Sequence, residues 1–182
     1  MTEETIDVLE RIGELQRNLT ELRASLTQKW AEETVPAGEF DIFVCRAGQG
    51  MFGLPIEVVK EALPICELTD YPQGPPWLAG LINLRGEMIP VVDVYSRINR
   101  QSRPTELRDV IVIVQLPQRR FGLIFQEVFR VYTVDGKRLQ PPLRDIPEAL
   151  YVLGIVETEE TPVFLISLSC LLGTSEIPED LL

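Results

Sequence analysis

The chain is 182 residues long, 45% hydrophobic and 25% charged, an ordinary globular composition at a length for one domain or two small halves. Acidic residues outnumber basic ones 28 to 17, giving a net charge of −11 without a single histidine. That charge disfavours nucleic acid and anionic membrane surfaces, and the missing histidine excludes Ser–His and Cys–His nucleophile pairs and His-containing zinc sites within the chain.

The first element is helical. Val8, Ile12, Leu15, Leu19, Leu22 and Leu26 are spaced 4, 3, 4, 3 and 4, a heptad seam with polar residues between its members. Residues 1–30 are expected to form an amphipathic helix that pairs with another helix. A weak homodimer is favoured, with a helical partner protein or folding back onto the rest of the chain as alternatives. Residues 31–38 read as a linker punctuated by Pro36 and Gly38.

From residue 39 the helical period disappears. Short β-branched or aromatic runs take its place at 40–45, 51–54, 58–63, 81–84, 88–92, 110–116, 121–125, 128–134, 152–157 and 163–166, with Gly or Pro in most of the intervals. Some ten short strands point to a mainly β barrel or sandwich. An internal repeat divides them: Phe52-Gly53-Leu54 returns as Phe121-Gly122-Leu123, an offset of 69, and Leu78-Ala79-Gly80-Leu81 is echoed by Val152-Leu153-Gly154-Ile155, an offset of 74. Two equivalent five-stranded units follow, roughly 39–100 and 108–173, before an acidic tail at 174–182. Gly53, Gly80, Gly86, Gly122 and Gly154 are expected to be structural, through close backbone approach, tight turns or positive φ.

The chemistry-bearing patterns are weak. Gly48-Gln49-Gly50-Met51-Phe52-Gly53 matches GxGxxG, but Pro55 follows at once and no βαβ alternation appears. The pattern reads as a hairpin turn, with a small nucleotide-binding enzyme as the rival. Asp93 lies in no Asp-Thr-Gly context, and residues 157–161 read as a solvated hairpin tip. Arg97, Arg100, Arg103 and Arg108 form a basic stretch read as a solvated loop, with a docking patch for an acidic partner as the alternative. Cys45, Cys66 and Cys170 form no CxxC pair, and a cysteine inside an apolar run such as 42–45 reads as core. The acidic start lacks an h-region, and no apolar stretch approaches the ~20 residues of a membrane helix. A cytoplasmic protein without membrane insertion, metal or cofactor is expected.

The most informative stretch is Asn83-Leu84-Arg85-Gly86 followed by Pro90-Val91-Val92-Asp93. Asn83 and Arg85 should share one strand face by the period of two, with Gly86 opening a tight turn. Pro90 lacks an N–H, so it is expected at a sheet edge or a bulge.

These residues, with Phe40–Val44, Phe52–Ile56, Val59-Lys60-Glu61, Phe121–Ile124 and 154–172, resemble the CheW family of chemotaxis coupling proteins over about residues 39–173. The resemblance implies two SH3-like five-stranded barrels and a non-enzymatic adaptor. It would join the regulatory domain of the histidine kinase CheA to the helical tips of methyl-accepting receptors, at membrane-associated receptor clusters. It also implies a receptor groove near Val59, Glu61, Asn83 and Arg85. An apolar receptor helix needs an apolar floor, for which Val58, Val59 and Leu63 are expected to supply part, with Glu61 and Arg85 as charged rim; that Glu61 and Arg85 merely pair with each other is the alternative. The heptad segment is not part of the usual pattern, so a specialised paralogue serving twitching or phototaxis stands beside a general coupling protein. An assembly piece without receptor contact is the third reading.

Overall fold

A computed structural model describes residues 35–117, 119–142, 147–158 and 160–173. The helix expected over 1–30, with its seam, and the tail of 174–182 lie outside the described residues.

Each apolar run becomes a strand. The first repeat contributes β1 (Glu39–Ala47), β2 (Gly50–Pro55), β3 (Val59–Pro64), β4 (Leu78–Leu84) and β5 (Glu87–Asp93), then a short helix α1 (Val94–Asn99). The second contributes β6 (Val110–Gln115), β7 (Arg120–Phe125), β8 (Glu127–Asp135), β9 (Val152–Val156) and β10 (Val163–Ile166), then α2 (Leu168–Leu172). Both helices begin where a side chain caps them. The Asp93 carboxylate accepts from the Ser96 N–H at 3.0 Å and the Ser167 hydroxyl from the Cys170 N–H at 3.3 Å. Asp93 and Ser167 are the same position of the repeat, so one capping slot is filled by an acid and by a hydroxyl.

The repeats do not fold side by side. One sheet runs β8-β1-β2-β10-β9 and the other β3-β6-β7-β5-β4. Each therefore takes a hairpin from one repeat and three strands from the other, and the two orders coincide when repeats are exchanged. A division between 39–100 and 108–173 consequently does not divide the sheets. The crossing is made by the 3-10 turn Ile56–Val58, which carries the chain out of β2 in one sheet and into β3 of the other. Parallel pairings lock the exchange: Met51–Gly53 with Val163–Leu165, and Val91–Asp93 with Gly122–Ile124.

Among the described residues the sheets are not closed into SH3-like barrels, since the edge strands of each are not hydrogen-bonded to one another. Past β3 the chain makes a single two-way bridge, Thr69 with Leu81, and past β8 another, Gln140 with Ile155. Pro72, Pro75 and Pro76 follow the first and Pro141 and Pro142 the second. Without N–H donors these segments cannot extend a ladder.

Two apolar clusters fill the sheets: Phe40, Ile42, Val44, Val134, Val163 and Leu165 in one, and Ile82, Ile89, Val91, Ile111, Ile113 and Ile124 in the other. The central strands are buried without alternation, Ile111–Val114 and Phe121–Phe125 being inaccessible at every position. Both faces of those strands are thus covered, one by its own cluster and the other by the rest of the molecule. The glycines of the two Phe-Gly-Leu repeats lie on central strands, Gly122 on β7 of this sheet and Gly53 on β2 of the other. A Cβ at Gly122 would sit 2.9 Å from Ile111 and 3.1 Å from Val91, and one at Gly53 would sit 3.0 Å from Ile42 and 3.3 Å from Val163. Neither has a positive φ, so close strand approach is what requires glycine there.

Pro90 lies in β5, which has neighbours on both sides and carries no bulge at that residue. At Pro90 itself, however, the strand is paired only with β4, which is locally the edge position expected. The proline is tolerated because the ladder to β7 begins one residue later, at Val91.

Candidate functional site

The site expected around β3 and the β4–β5 hairpin is largely built by one turn. Leu84 pairs with Glu87, leaving Arg85 and Gly86 as a two-residue loop with φ of 55° and 90°. Two positive φ values make this a type I′ turn, the geometry that matches strand twist. The Asn83 side-chain oxygen accepts the Gly86 N–H at 2.9 Å and fixes the turn from below. Arg85 is therefore not on the strand face beside Asn83, as the period of two suggested; it stands in the left-handed region at the tip. Such a conformation costs a non-glycine residue roughly 1–2 kcal/mol.

From that tip the Arg85 guanidinium reaches Glu61 of β3, Nη2 to Oε2 at 3.3 Å, with the arginine side chain 76% exposed and the glutamate 26%. The pair spans the two edge strands of one sheet. An exposed pair contributes about 0–1 kcal/mol, no more than the strain of the arginine that makes it. Stability does not account for an arginine at this position.

The remaining expected residues divide. Val58, at the end of the 3-10 turn, and Val59, at the start of β3, are half-buried, and Asn83 is exposed. Leu63 is half-buried and packs against the cluster around Ile82 and Ile89. Along β3 Val59, Glu61 and Leu63 are half-buried while Lys60, Ala62 and Pro64 are exposed. Sequence reasoning missed Met88, 41% exposed and directly opposite Asn83 in the hairpin register. It is legible once Leu84 is paired with Glu87 across a two-residue turn.

The opposite sheet repeats this arrangement with the charges exchanged. The offset of 69 maps Val59 onto Val128 and Glu61 onto Arg130. Arg130 of edge strand β8 reaches Glu160 of the β9–β10 connection at 3.4 Å, as Glu61 meets Arg85. This second edge is more apolar: Phe129 and Val131 are 46% and 47% exposed, beside a cleft of about 250 Å³ that Tyr132, Val44 and Met51 also line. Both edge strands carry a register shift near their start, between Val59 and Glu61 in β3 and opposite the Phe43–Cys45 stretch in β8. Bulges of this kind twist an edge away from further pairing.

The other sequence features have structural roles. Ala47 pairs with Gly50 across Gly48 and Gln49, so the GxGxxG pattern is a hairpin turn with no helix behind it. The basic stretch divides, with Arg97 and Arg103 committed to the fold and Arg100 and Arg108 exposed. Arg103 is buried between Asp109, at 2.8 Å, and Asp93, at 3.6 Å. Arg108 pairs with Glu106, and Arg97 lies over Trp77. Burial pushes the Asp93 carboxyl above its ordinary range, against the opposing pull of the Ser96 N–H and Arg103. Cys45 and Cys170 are buried and Cys66 is exposed; burial pushes the Cys45 thiol up to about 12. No helix among the described residues is long and apolar enough to cross a membrane.

Residues 41–176 match the CheW-like domain family. A probable chemotaxis protein CheW of Rhizobium etli is 26% identical over 149 residues, which span 81% of this chain and 96% of the relative. Protein FrzA of Myxococcus xanthus is 27% identical over 148 residues, 80% of this chain and 91% of that protein. Among solved structures, the scaffolding protein TtCheW of Thermoanaerobacter tengcongensis superposes with a TM-score of 0.67 at 29% identity, covering 76% of this chain and 90% of its own.

Proposed function

The chain belongs to the CheW-like domain family, and we propose that within it this protein is a non-enzymatic adaptor coupling methyl-accepting receptors to a CheA-type histidine kinase. The observation that supports this reading is the pair of equivalent but unlike edges. An adaptor has to hold two different partners at once. Here one edge carries Glu61, Arg85, Asn83 and Met88, and the other carries Arg130, Glu160, Phe129 and Val131. Opposite charge order at equivalent places discriminates partners more than it adds affinity. The strained Arg85 fits the same reading, since backbone strain is retained where a side chain is needed at that point.

The test is co-assembly of the full-length protein with a CheA-type kinase and the cytoplasmic tips of receptors. The wild type is expected to join both in one complex. Glu61→Ala and Arg85→Ala are expected to keep the wild-type melting temperature within a few degrees, since the pair is worth about 0–1 kcal/mol, and to lose receptor–kinase assembly. Variants that fold and assemble normally would show that the pair is only a surface contact. Supplying receptors from chemotaxis, twitching and phototaxis systems in separate assays identifies whether a general or a specialised pathway is served, by which receptor is retained.

A further inference from the structure

The two repeats meet where their equivalent residues face one another. Trp77 and Tyr151 each precede the fourth strand of a repeat, and each carbonyl accepts the N–H of the capping residue of that repeat: Asp93 to Trp77 at 3.1 Å, Ser167 to Tyr151 at 2.9 Å. Arg97 and Leu171 are also equivalent positions, and they touch across this junction. Arg97 Nε donates to the Leu171 carbonyl at 2.9 Å. The guanidinium carbon lies 4.3 Å from the Trp77 ring centre and 5.4 Å from that of Tyr151. Where one repeat has an apolar leucine, the other has a cation between two aromatic rings.

Beside this junction opens a cleft of about 370 Å³, with Trp77 and Tyr151 on one side and Ser96, Arg97, Arg100 and Ser102 among its other lining residues. Among the described residues no carboxylate lines it. Arg100 is exposed and has no hydrogen-bond or ion-pair partner among the described residues. It ends α1 with a φ of 56°, a conformation glycine would adopt more readily. The cleft thus joins an uncommitted guanidinium, a second cation held in place, hydroxyl-bearing side chains and aromatic walls.

We propose that this cleft is a binding site for a small organic anion, whose carboxylate or phosphoryl group is held by Arg100 and whose carbon skeleton lies against Trp77. The planar guanidinium fork matches both kinds of oxyanion. A volume near the lower end of the roughly 300–1,000 Å³ of ligand pockets admits a small molecule and not a folded partner. Repeat junctions are favoured places for such pockets, because surfaces from two units converge there. The site is separate from both edge strands and does not depend on the adaptor reading.

Trp77 is one of only two tryptophans, so the full-length Trp30→Phe protein reports on the cleft through its own emission. It is titrated with phenyl phosphate, with benzoate and with uncharged benzyl alcohol. Saturable quenching or shift by at least one of the two anions is expected, with little response to benzyl alcohol; the stronger anion identifies a phosphoryl or a carboxylate site. In the Trp30→Phe background, Arg100→Gln should weaken that binding about tenfold or more, the loss of one charge-assisted hydrogen bond. Its melting temperature should be unchanged, because the side chain is exposed, and raised salt should weaken binding in the parent protein. The proposal is overturned if neither anion saturates by about 10 mM, if benzyl alcohol binds as well as the anions, or if Arg100→Gln binds like its parent.

Discussion

Two of the arginine–carboxylate contacts in this molecule, one buried and one exposed, do opposite work. Arg103 lies between Asp93 and Asp109 with 11% of its side chain exposed. It ties the end of the first repeat to the start of the second. The Asp109 carboxylate also accepts the Glu106 N–H at 2.8 Å, so the connection between repeats is folded around one guanidinium. Arg85 makes the same kind of pair in water, from a strained turn, to a partner on the far edge strand. Solvent decides the difference. Removing one partner of a buried pair strands a charge, whereas removing an exposed pair changes little in the fold. Stability should therefore follow Arg103 and partner binding should follow Arg85.

The largest expected effect is on the buried side. Arg103→Ala leaves two carboxylates facing each other without their cation, and should cost about 3–5 kcal/mol in denaturant unfolding. A loss below 1 kcal/mol would mean that the connection is held by something else.

Gly122→Val tests the ladder that this clip secures. The first added carbon already lies 2.9 Å from Ile111, so the branched side chain should cost on the order of 1–3 kcal/mol or more through overpacking. Its melting temperature should fall before any binding defect appears at permissive temperature. A fully stable variant that fails to bind would contradict a structural role.

Arg85→Gly sharpens the comparison from the exposed side. Glycine accepts the positive φ without strain, so unfolding free energy should stay within about 1 kcal/mol of wild type or rise slightly. Receptor–kinase assembly should be lost. A clear destabilisation would assign Arg85 to the fold.

The smallest effect concerns Asp93. Its carboxyl titrates above its ordinary value because burial disfavours the charged form. The folded state then binds the proton more tightly than the unfolded chain. The stabilising contribution is complete below the ordinary value of 3.8 and is lost as pH rises through the raised folded value. Asp93→Asn keeps a good helix cap and removes this titration. Its stability relative to wild type should rise with pH from about 4 upward. Parallel pH profiles would show that Asp93 is not the group responsible.

Most of the strand inventory was legible because short β-branched runs between glycines and prolines leave few other structures open. Runs such as 110–116 and 121–125 became strands within a residue or so of their expected limits. The exchange of hairpins was not legible, since alternation specifies which face of a strand is buried and not which strand lies beside it. The repeat of Phe52-Gly53-Leu54 in Phe121-Gly122-Leu123 pointed to equivalence but not to interlocking. At the candidate site, Glu61 and Arg85 stood out from the motif and their pairing was the alternative considered, while the positive φ that lifts Arg85 off the strand face was not legible. Arg103 was hidden among four arginines that read alike in sequence, and only Asp93 and Asp109, brought together by folding, distinguish it from Arg100.

The exchanged hairpins have a consequence for what the surface is able to become. Two separate copies of one repeat, interlocked in this way, would form an isologous pair, and every patch on it would occur twice and identically. Joining the copies through residues 100–109 keeps the interlocked core and lifts that restriction. A substitution in β3 no longer has to appear in β8. Lys60 can then stand where Phe129 stands, and Glu61 where Arg130 stands, so that a body with two-fold internal order acquires a front and a back.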